Sequence, residues 1–192
     1  MTIWEWDYSI NLHFKFRFLL TMQNHQIVMC LGNSMIPFTA PDIPATFRKI
    51  LQPGKINHVL STGECGILTF LKTICSSISL VRGNYDPASL PISNVVKFND
   101  LKIAMINSAF LSPFDDFMLD CTIARLDADI LLTNSDRADA TRRDNRIFIG
   151  CGDMLADNPS FCLLDIIGRT VIVYMYLMNE GVLKVEKKEF EL

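Results

Sequence analysis

The sequence predicts an α/β (α+β) chain in which two β-sheets pack face to face with helices on their outer sides. Two observations predict it. The first half alternates short apolar runs with helix-like segments, each run closed by a glycine, whereas the second half is almost all strand-like. In addition, 192 residues that are 49% hydrophobic supply one full core but not two.

Residues 27–31, apolar and ending at Gly32, read as a buried first strand. Asp42 is the expected N-cap of a helix with Pro44 in its first turn, Phe47, Ile50 and Leu51 on its inner face, and Pro53-Gly54 as its stop. A second strand starts at 58–60 and closes at Thr62-Gly63, followed by a short helix through Leu68, Leu71, Lys72, Ile74 and Cys75. Residues 78–81 then form a third strand that ends at Gly83. This β-α-β-α-β half implies parallel pairing, with loops gathered at the strand C-termini where α/β sites form.

A hairpin with a two-residue Asn99-Asp100 turn is expected over 95–106. Asp115 and Asp116 open a helix at its positive end, with Phe117, Cys121 and Ala124 on one stripe. Strands follow at 129–132, 147–149, 161–167, 171–178 and 182–190.

Residues 1–25 stand apart as an atypical N-terminal extension, before a domain spanning 26–192. Every even position from Trp4 to Met22 is apolar, while Glu5, Asp7, Asn11, His13, Lys15 and Arg17 occupy odd ones. A period of two marks a strand with one buried face. Two readings stay open: an added β ribbon, or a stretch upstream of a true initiator such as Met22.

A net charge of −3 provides no basic field for nucleic acid or anionic lipid. The six cysteines show no C-x-x-C spacing, which argues against a zinc knuckle or redox pair. Cys30, Cys75, Cys121 and Cys162 lie in apolar runs as small core hydrophobes, and a reducing, cytoplasmic setting is expected. No apolar run is long enough to span a membrane.

Several runs carry a resemblance: Gly32-Asn33-Ser34-Met35-Ile36-Pro37, the stretch from Pro44 to Ile56, His58-Val59-Leu60-Ser61-Thr62-Gly63, Leu80-Val81-Arg82-Gly83-Asn84-Tyr85-Asp86, and Lys184-Val185-Glu186. In order and spacing they resemble the retromer subunit family of vacuolar protein sorting-associated protein 29, within the calcineurin-like metallophosphoesterase fold. The resemblance covers 26–192. It implies a four-layer αββα metallophosphoesterase-like sandwich of two mixed sheets.

Enzymes of that fold hold two metals with Asp-x-His, Gly-Asp, Gly-Asn-x-Asp, His-Gly-His and Gly-His-x-His motifs. Two divalent ions about 4 Å apart clamp a phosphoryl group and generate hydroxide. Here the corresponding positions are degenerate: Asn33 and Met35, Glu64, Asn84 and Asp86, Asn107 and Ala109, and Ser135 and Arg137. The three histidines, His13, His25 and His58, fall outside every motif. Met35 is a soft ligand unsuited to hard metals, and Arg137 puts a cation where a ligand should sit. No catalytic residue, metal or cofactor is expected. Asn84 and Asp86 read best as caps of their own loop. Arg137 is a candidate to replace the missing charge by pairing with Glu64 or Asp86.

The resemblance further implies two partner surfaces. Leu163, Tyr174 and Tyr176 correspond to a docking patch for regulatory and accessory proteins, and tyrosines suit such surfaces. Phe110, Leu111, Pro113 and Phe114 lie at the edge that meets the large α-solenoid subunit, vacuolar protein sorting-associated protein 35. Ser112 departs from the apolar residue usual there. The function expected is a non-catalytic scaffold on endosomal membranes. Two rivals are a single-metal phosphodiesterase using Glu64, Asn84 and Asp86, and a repurposed paralogue in which Leu163, Tyr174 and Tyr176 are buried.

Overall fold

In the computed structural model, which describes residues 25–34, 42–63 and 66–192, the first apolar run forms β1 (His25–Leu31). It is followed by α1 (Ala45–Ile50), β2 (His58–Ser61), α2 (Leu68–Ile74) and β3 (Ile78–Leu80). The three strands pair in parallel, β1 with β2 and β2 with β3, as the alternating pattern requires. The N-terminal extension lies outside the described residues apart from His25, which already belongs to β1.

The hairpin is β4 (Ser93–Phe98) and β5 (Leu101–Ile106), with Asn99 at φ 53 in its turn. After a 3-10 turn at Ser108–Phe110 come α3 (Asp116–Arg125), β6 (Ile130–Thr133), β7 (Ala138–Arg143), β8 (Arg146–Cys151), β9 (Ser160–Ile167), β10 (Thr170–Asn179) and β11 (Val182–Glu191). One sheet has the order β11-β10-β9-β1-β2-β3 and the other β4-β5-β6-β8-β7. Both are mixed: β1–β3 are parallel and β9–β11 antiparallel in the first, while β5, β6 and β8 are parallel and β4 and β7 antiparallel to their neighbours in the second.

Three apolar layers hold the sandwich. The central one, between the sheets, takes Val28, Cys30, Leu60, Met105, Leu132, Leu164, Val173 and Met175. Met29, Leu31, Phe47, Leu71 and Phe161 fill the layer under α1 and α2, and Ile106, Leu111, Ile123 and Phe148 the layer under α3. Period two along β10 sends Val171, Val173, Met175 and Leu177 inward and Ile172, Tyr174, Tyr176 and Met178 outward, the latter half-buried.

Some expectations are corrected. Asp42 does not cap α1: Pro44 holds that position, and Asp42 accepts from the Ile43 N–H (2.8 Å) and pairs with Arg48. Phe47 and Leu51 do face inward. On α3 the Asp115 carboxylate accepts from Met118 N at 2.8 Å, as a cap should. The buried stripe, however, is Thr122 and Ile123, with Met118, Leu119 and Leu126 beside them. Phe117 is 73% exposed, and Cys121 and Ala124 are exposed too. The stripe with more aliphatic area won. Strand β7 gave no sequence signal, because its inward residues are the small Ala138 and Ala140 and the rest are charged or polar.

Cys30, Cys75 and Cys162 are buried free thiols, as expected, and Cys151 joins them. Burial pushes the Cys162 thiol up to about 12, which removes thiolate reactivity near neutral pH. Among the described residues no helix is long and apolar enough to cross a membrane.

Candidate functional site

The loops after β1, β2, β3, β5 and β6 converge on one edge of the sandwich. Two glycines make the approach possible. A Cβ on Gly32 would lie 2.0 Å from the Gly152 carbonyl oxygen. Gly63 has φ +122, and its Cβ would meet Gly83 N at 2.6 Å and Asn107 Nδ2 at 2.9 Å. Backbones therefore touch where side chains would otherwise stand.

Asn107, 2% exposed, occupies the middle. Its Nδ2 donates to the Thr62 carbonyl at 2.7 Å and to Asn33 Oδ1 at 3.4 Å. Its Oδ1 accepts from Ala109 N at 3.0 Å and so caps the 3-10 turn. Asn134 Oδ1 accepts from Ser108 N at 2.6 Å. Ser135 Oγ donates to the Arg137 carbonyl (2.7 Å) and accepts from Gly152 N (3.1 Å). The edge is thus tied by neutral amides and hydroxyls that serve the backbone.

The charged candidates divide: Asp86 stays in its own loop, and Arg137 meets a residue of the other sheet. Asp86 accepts from Gly83 N at 2.8 Å, the loop-capping role read from its position. Arg137 is exposed and lies 3.7 Å from Glu186 on β11, which also accepts from Lys184 at 2.7 Å. Lys184, then Arg137, hold the Glu186 carboxyl below its ordinary value, with the hydrogen bond from Lys184 the largest cause. Met35 and Glu64 lie outside the described residues. The fold class implies a pair of metals, and the donor set among the described residues does not fit it. Among the described residues no three His, Cys, Asp or Glu side chains gather, and Asn107 spends both ends of its amide on the protein.

At the edge expected to meet a large subunit, Phe114 is 54% exposed and Pro113 is exposed. Leu111 is instead buried under α3 with Ile123, and Phe110 packs beside it with the Arg82 guanidinium 4.9 Å over its ring. Leu111 is therefore a core residue, because the 3-10 turn points it inward. Sequence reading put Phe117 on the inner stripe of α3 and gave no role to Tyr85, which is 81% exposed on the neighbouring loop. Its signal was an aromatic flanked by Asn84 and Asp86, both turn formers, where no core needs one.

Leu163, Tyr174 and Tyr176 do come together. Leu163 and Tyr174 are paired across β9 and β10, and Tyr176 follows on the same outer face. The Tyr176 ring stacks on Phe161 at 4.7 Å, and Phe161 meets Phe47 edge-on at 4.9 Å. Burial raises the Tyr176 phenol pKa above its ordinary value, with Tyr174 adding to it. All three are half-buried, so the patch is shaped from below and open above.

Two mixed sheets, helices outside and site loops on one edge define a metallophosphoesterase-like sandwich. A Streptococcus pneumoniae protein described as a predicted phosphoesterase shares this fold, with TM-score 0.62 at 16% identity over 85% of this chain and 98% of its own. The chain belongs to the vacuolar protein sorting-associated protein 29 family. It is 31% identical over 182 residues to the Schizosaccharomyces pombe member, covering 85% of this chain and 97% of the relative. The crystal structure of Chaetomium thermophilum Vps29 superposes with TM-score 0.82 at 28% identity, over 86% of this chain and 98% of that one. Vps29 from that organism is also known complexed with a cyclic peptide, and Entamoeba histolytica Vps29 (26% identical) complexed with Zn2+. No family model matches the chain.

Proposed function

We propose that this chain is a non-catalytic scaffold and adaptor subunit of the retromer endosomal cargo-sorting complex, acting in endosome-to-Golgi retrograde transport. The observation that carries this reading is Asn107, whose amide bridges Thr62 and Ala109 at the centre of the degenerate metal edge. With Oδ1 accepting from Ala109 N and Nδ2 donating to Thr62, Asn107 has at most one neutral oxygen lone pair left for an ion, a weak donor beside the imidazoles and carboxylates that phosphoryl-activating metals need.

The large α-solenoid subunit, vacuolar protein sorting-associated protein 35, packs over that edge, with Tyr85, Pro113, Phe114 and Phe117 as its exposed apolar contacts. Regulatory and accessory proteins dock on Leu163, Tyr174 and Tyr176. A cyclic peptide held by a relative supports a surface competent for short segments. The protein is cytoplasmic and is held on endosomal membranes through its partners.

The test is calorimetric titration of the full chain with the C-terminal part of the large subunit, with and without Mn2+. Binding tighter than about 1 μM, near 8 kcal/mol, and indifferent to Mn2+ supports the scaffold. Absent binding, or binding that requires Mn2+, rejects it.

A further inference from the structure

Among the described residues, the outer side of the larger sheet is only half covered. Helices α1 and α2 lie over the end that carries Met29, Leu31, Val59 and Phe161. At the other end the registered rows are His25, Ile167 and Thr170, then Ile27, Asp165 and Ile172, then Met29, Leu163 and Tyr174. Ile167, Ile172 and Tyr174 sit outside all three apolar clusters and are half-exposed. Beyond them β11 turns charged, with Lys187 opposite Tyr174 and Glu189 opposite Ile172. The result is a strip with Ile27, Ile167, Ile172, Leu163 and Tyr174 around one ion pair, His25 with Asp165 at 2.5 Å, bounded by helices on one side and by the charges of β11 on the other.

The chain itself delivers something to this strip. It enters β1 at His25, whose partner across the ladder is Ile167 at the open end of the strip. The preceding sequence alternates ten apolar residues, Trp4 to Met22, with a largely polar set. Twenty extended residues reach roughly 65 Å at about 3.3 Å each, whereas three strands at about 4.8 Å spacing span only roughly 10 Å. Reach is no obstacle, even for a ribbon that doubles back. One apolar side calls for one apolar surface, and a bare aromatic strand is an aggregation template.

From these observations we infer that residues 4–22 dock in cis across the outer face of β1, β9 and β10, with their even-numbered side chains against Ile27, Leu163, Ile167, Ile172 and Tyr174. The segment covers part of the surface carrying Leu163 and Tyr174, so any partner of that surface must displace it. The inference does not rest on the partner reading above, because it is tested with no partner present.

Both tryptophans of the chain, Trp4 and Trp6, lie in the segment, so tryptophan emission reports on it alone. The full 192-residue chain is measured for emission maximum and acrylamide quenching across a dilution series, with mass by light scattering. The expected result is blue-shifted emission and quenching several-fold weaker than for free tryptophan, both independent of concentration and at monomer mass. Ile172→Lys, at a half-exposed position, then shifts emission to the red and raises quenching several-fold. As a second variant that leaves the domain face intact, the combination Phe14→Asp, Phe16→Asp and Phe18→Asp raises binding of an apolar dye several-fold. Solvent-like quenching of the unaltered chain overturns the proposal. So does protection that vanishes on dilution together with a halving of mass, or protection insensitive to both variants.

Discussion

The side-chain amide of Asn107, just past β5 in one sheet, donates to the backbone carbonyl of Thr62, just past β2 in the other, at 2.7 Å. The bond links the two sheets at the edge where the loops after β2 and β5 meet. Replacing Asn107 by Ala removes the donor to Thr62 and the cap on Ala109 N. The expected loss is about 1–3 kcal/mol, because a buried carbonyl loses its partner. Urea unfolding with an unchanged m-value measures it. Asn107→Asp is expected to be worse still, since it sets a carboxylate against a carbonyl oxygen.

Close backbone approach at Gly63 makes a second prediction. Gly63→Ala combines φ +122 with a Cβ 2.6 Å from Gly83 N, an atom of the backbone that cannot swing aside. Gly54 has φ +80 with nothing within 4 Å. Gly54→Ala should therefore cost about 1 kcal/mol of conformational strain, and Gly63→Ala clearly more. Thermal unfolding of the pair separates strain from collision.

How far the sequence revealed this depended on side-chain size and on distance along the chain. The strands β1, β9 and β10 announced themselves because Val28, Leu164 and Val173 sit in nearly continuous apolar runs. Strand β7 stayed silent because Ala138 and Ala140 bury too little area to stand out among arginines. The rotation of α3 was misread because Phe117, the largest side chain near its start, is exposed. At the site the missing histidines were plain, and so was the capping role of Asp86, three residues from its donor. The Asn107–Thr62 bond, across 45 residues, and the Arg137–Glu186 pair, across two sheets, needed the fold.

The donor set also makes a prediction about metal. If a divalent ion bound the folded chain alone, at a hundredfold above its dissociation constant it would add about 2.7 kcal/mol. Millimolar Mn2+ or Zn2+ is expected to leave the midpoint of thermal unfolding unchanged, and Asp86→Ala is expected to respond in the same way. A rise abolished by Asp86→Ala would restore the single-metal enzyme reading.

Tyr174 and Phe161 lie one row apart on the outer face of the sheet, yet they should respond very differently to truncation. Phe161 is fully buried, stacked on Tyr176 and edge-on to Phe47, so Phe161→Ala should cost about 3–5 kcal/mol. Tyr174 is half-exposed, so Tyr174→Ala should stay near 1 kcal/mol. Equilibrium unfolding of both variants distinguishes foundation from surface. A large loss on Tyr174→Ala would mean that the surface is structural and unsuited to docking.

His58 opens β2 with its ring between two hydroxyls, Nε2 2.9 Å from Ser79 Oγ and Nδ1 2.8 Å from Ser77 Oγ. Phe98 meets the ring edge-on at 5.3 Å. Burial lowers its pKa below the ordinary 6.5, since the imidazolium loses water here. As pH falls, the unfolded chain therefore takes up a proton before the folded one does. The stability that His58 contributes is whole above its unfolded value and is lost as pH falls through the lower folded value. His58→Gln keeps hydrogen-bonding groups near Ser77 and Ser79 but cannot titrate, so its stability should fall less steeply over the acid side of neutrality. Denaturant midpoints taken at a series of pH values for both chains measure the difference. Parallel curves would show that the imidazole keeps an ordinary pKa despite its burial.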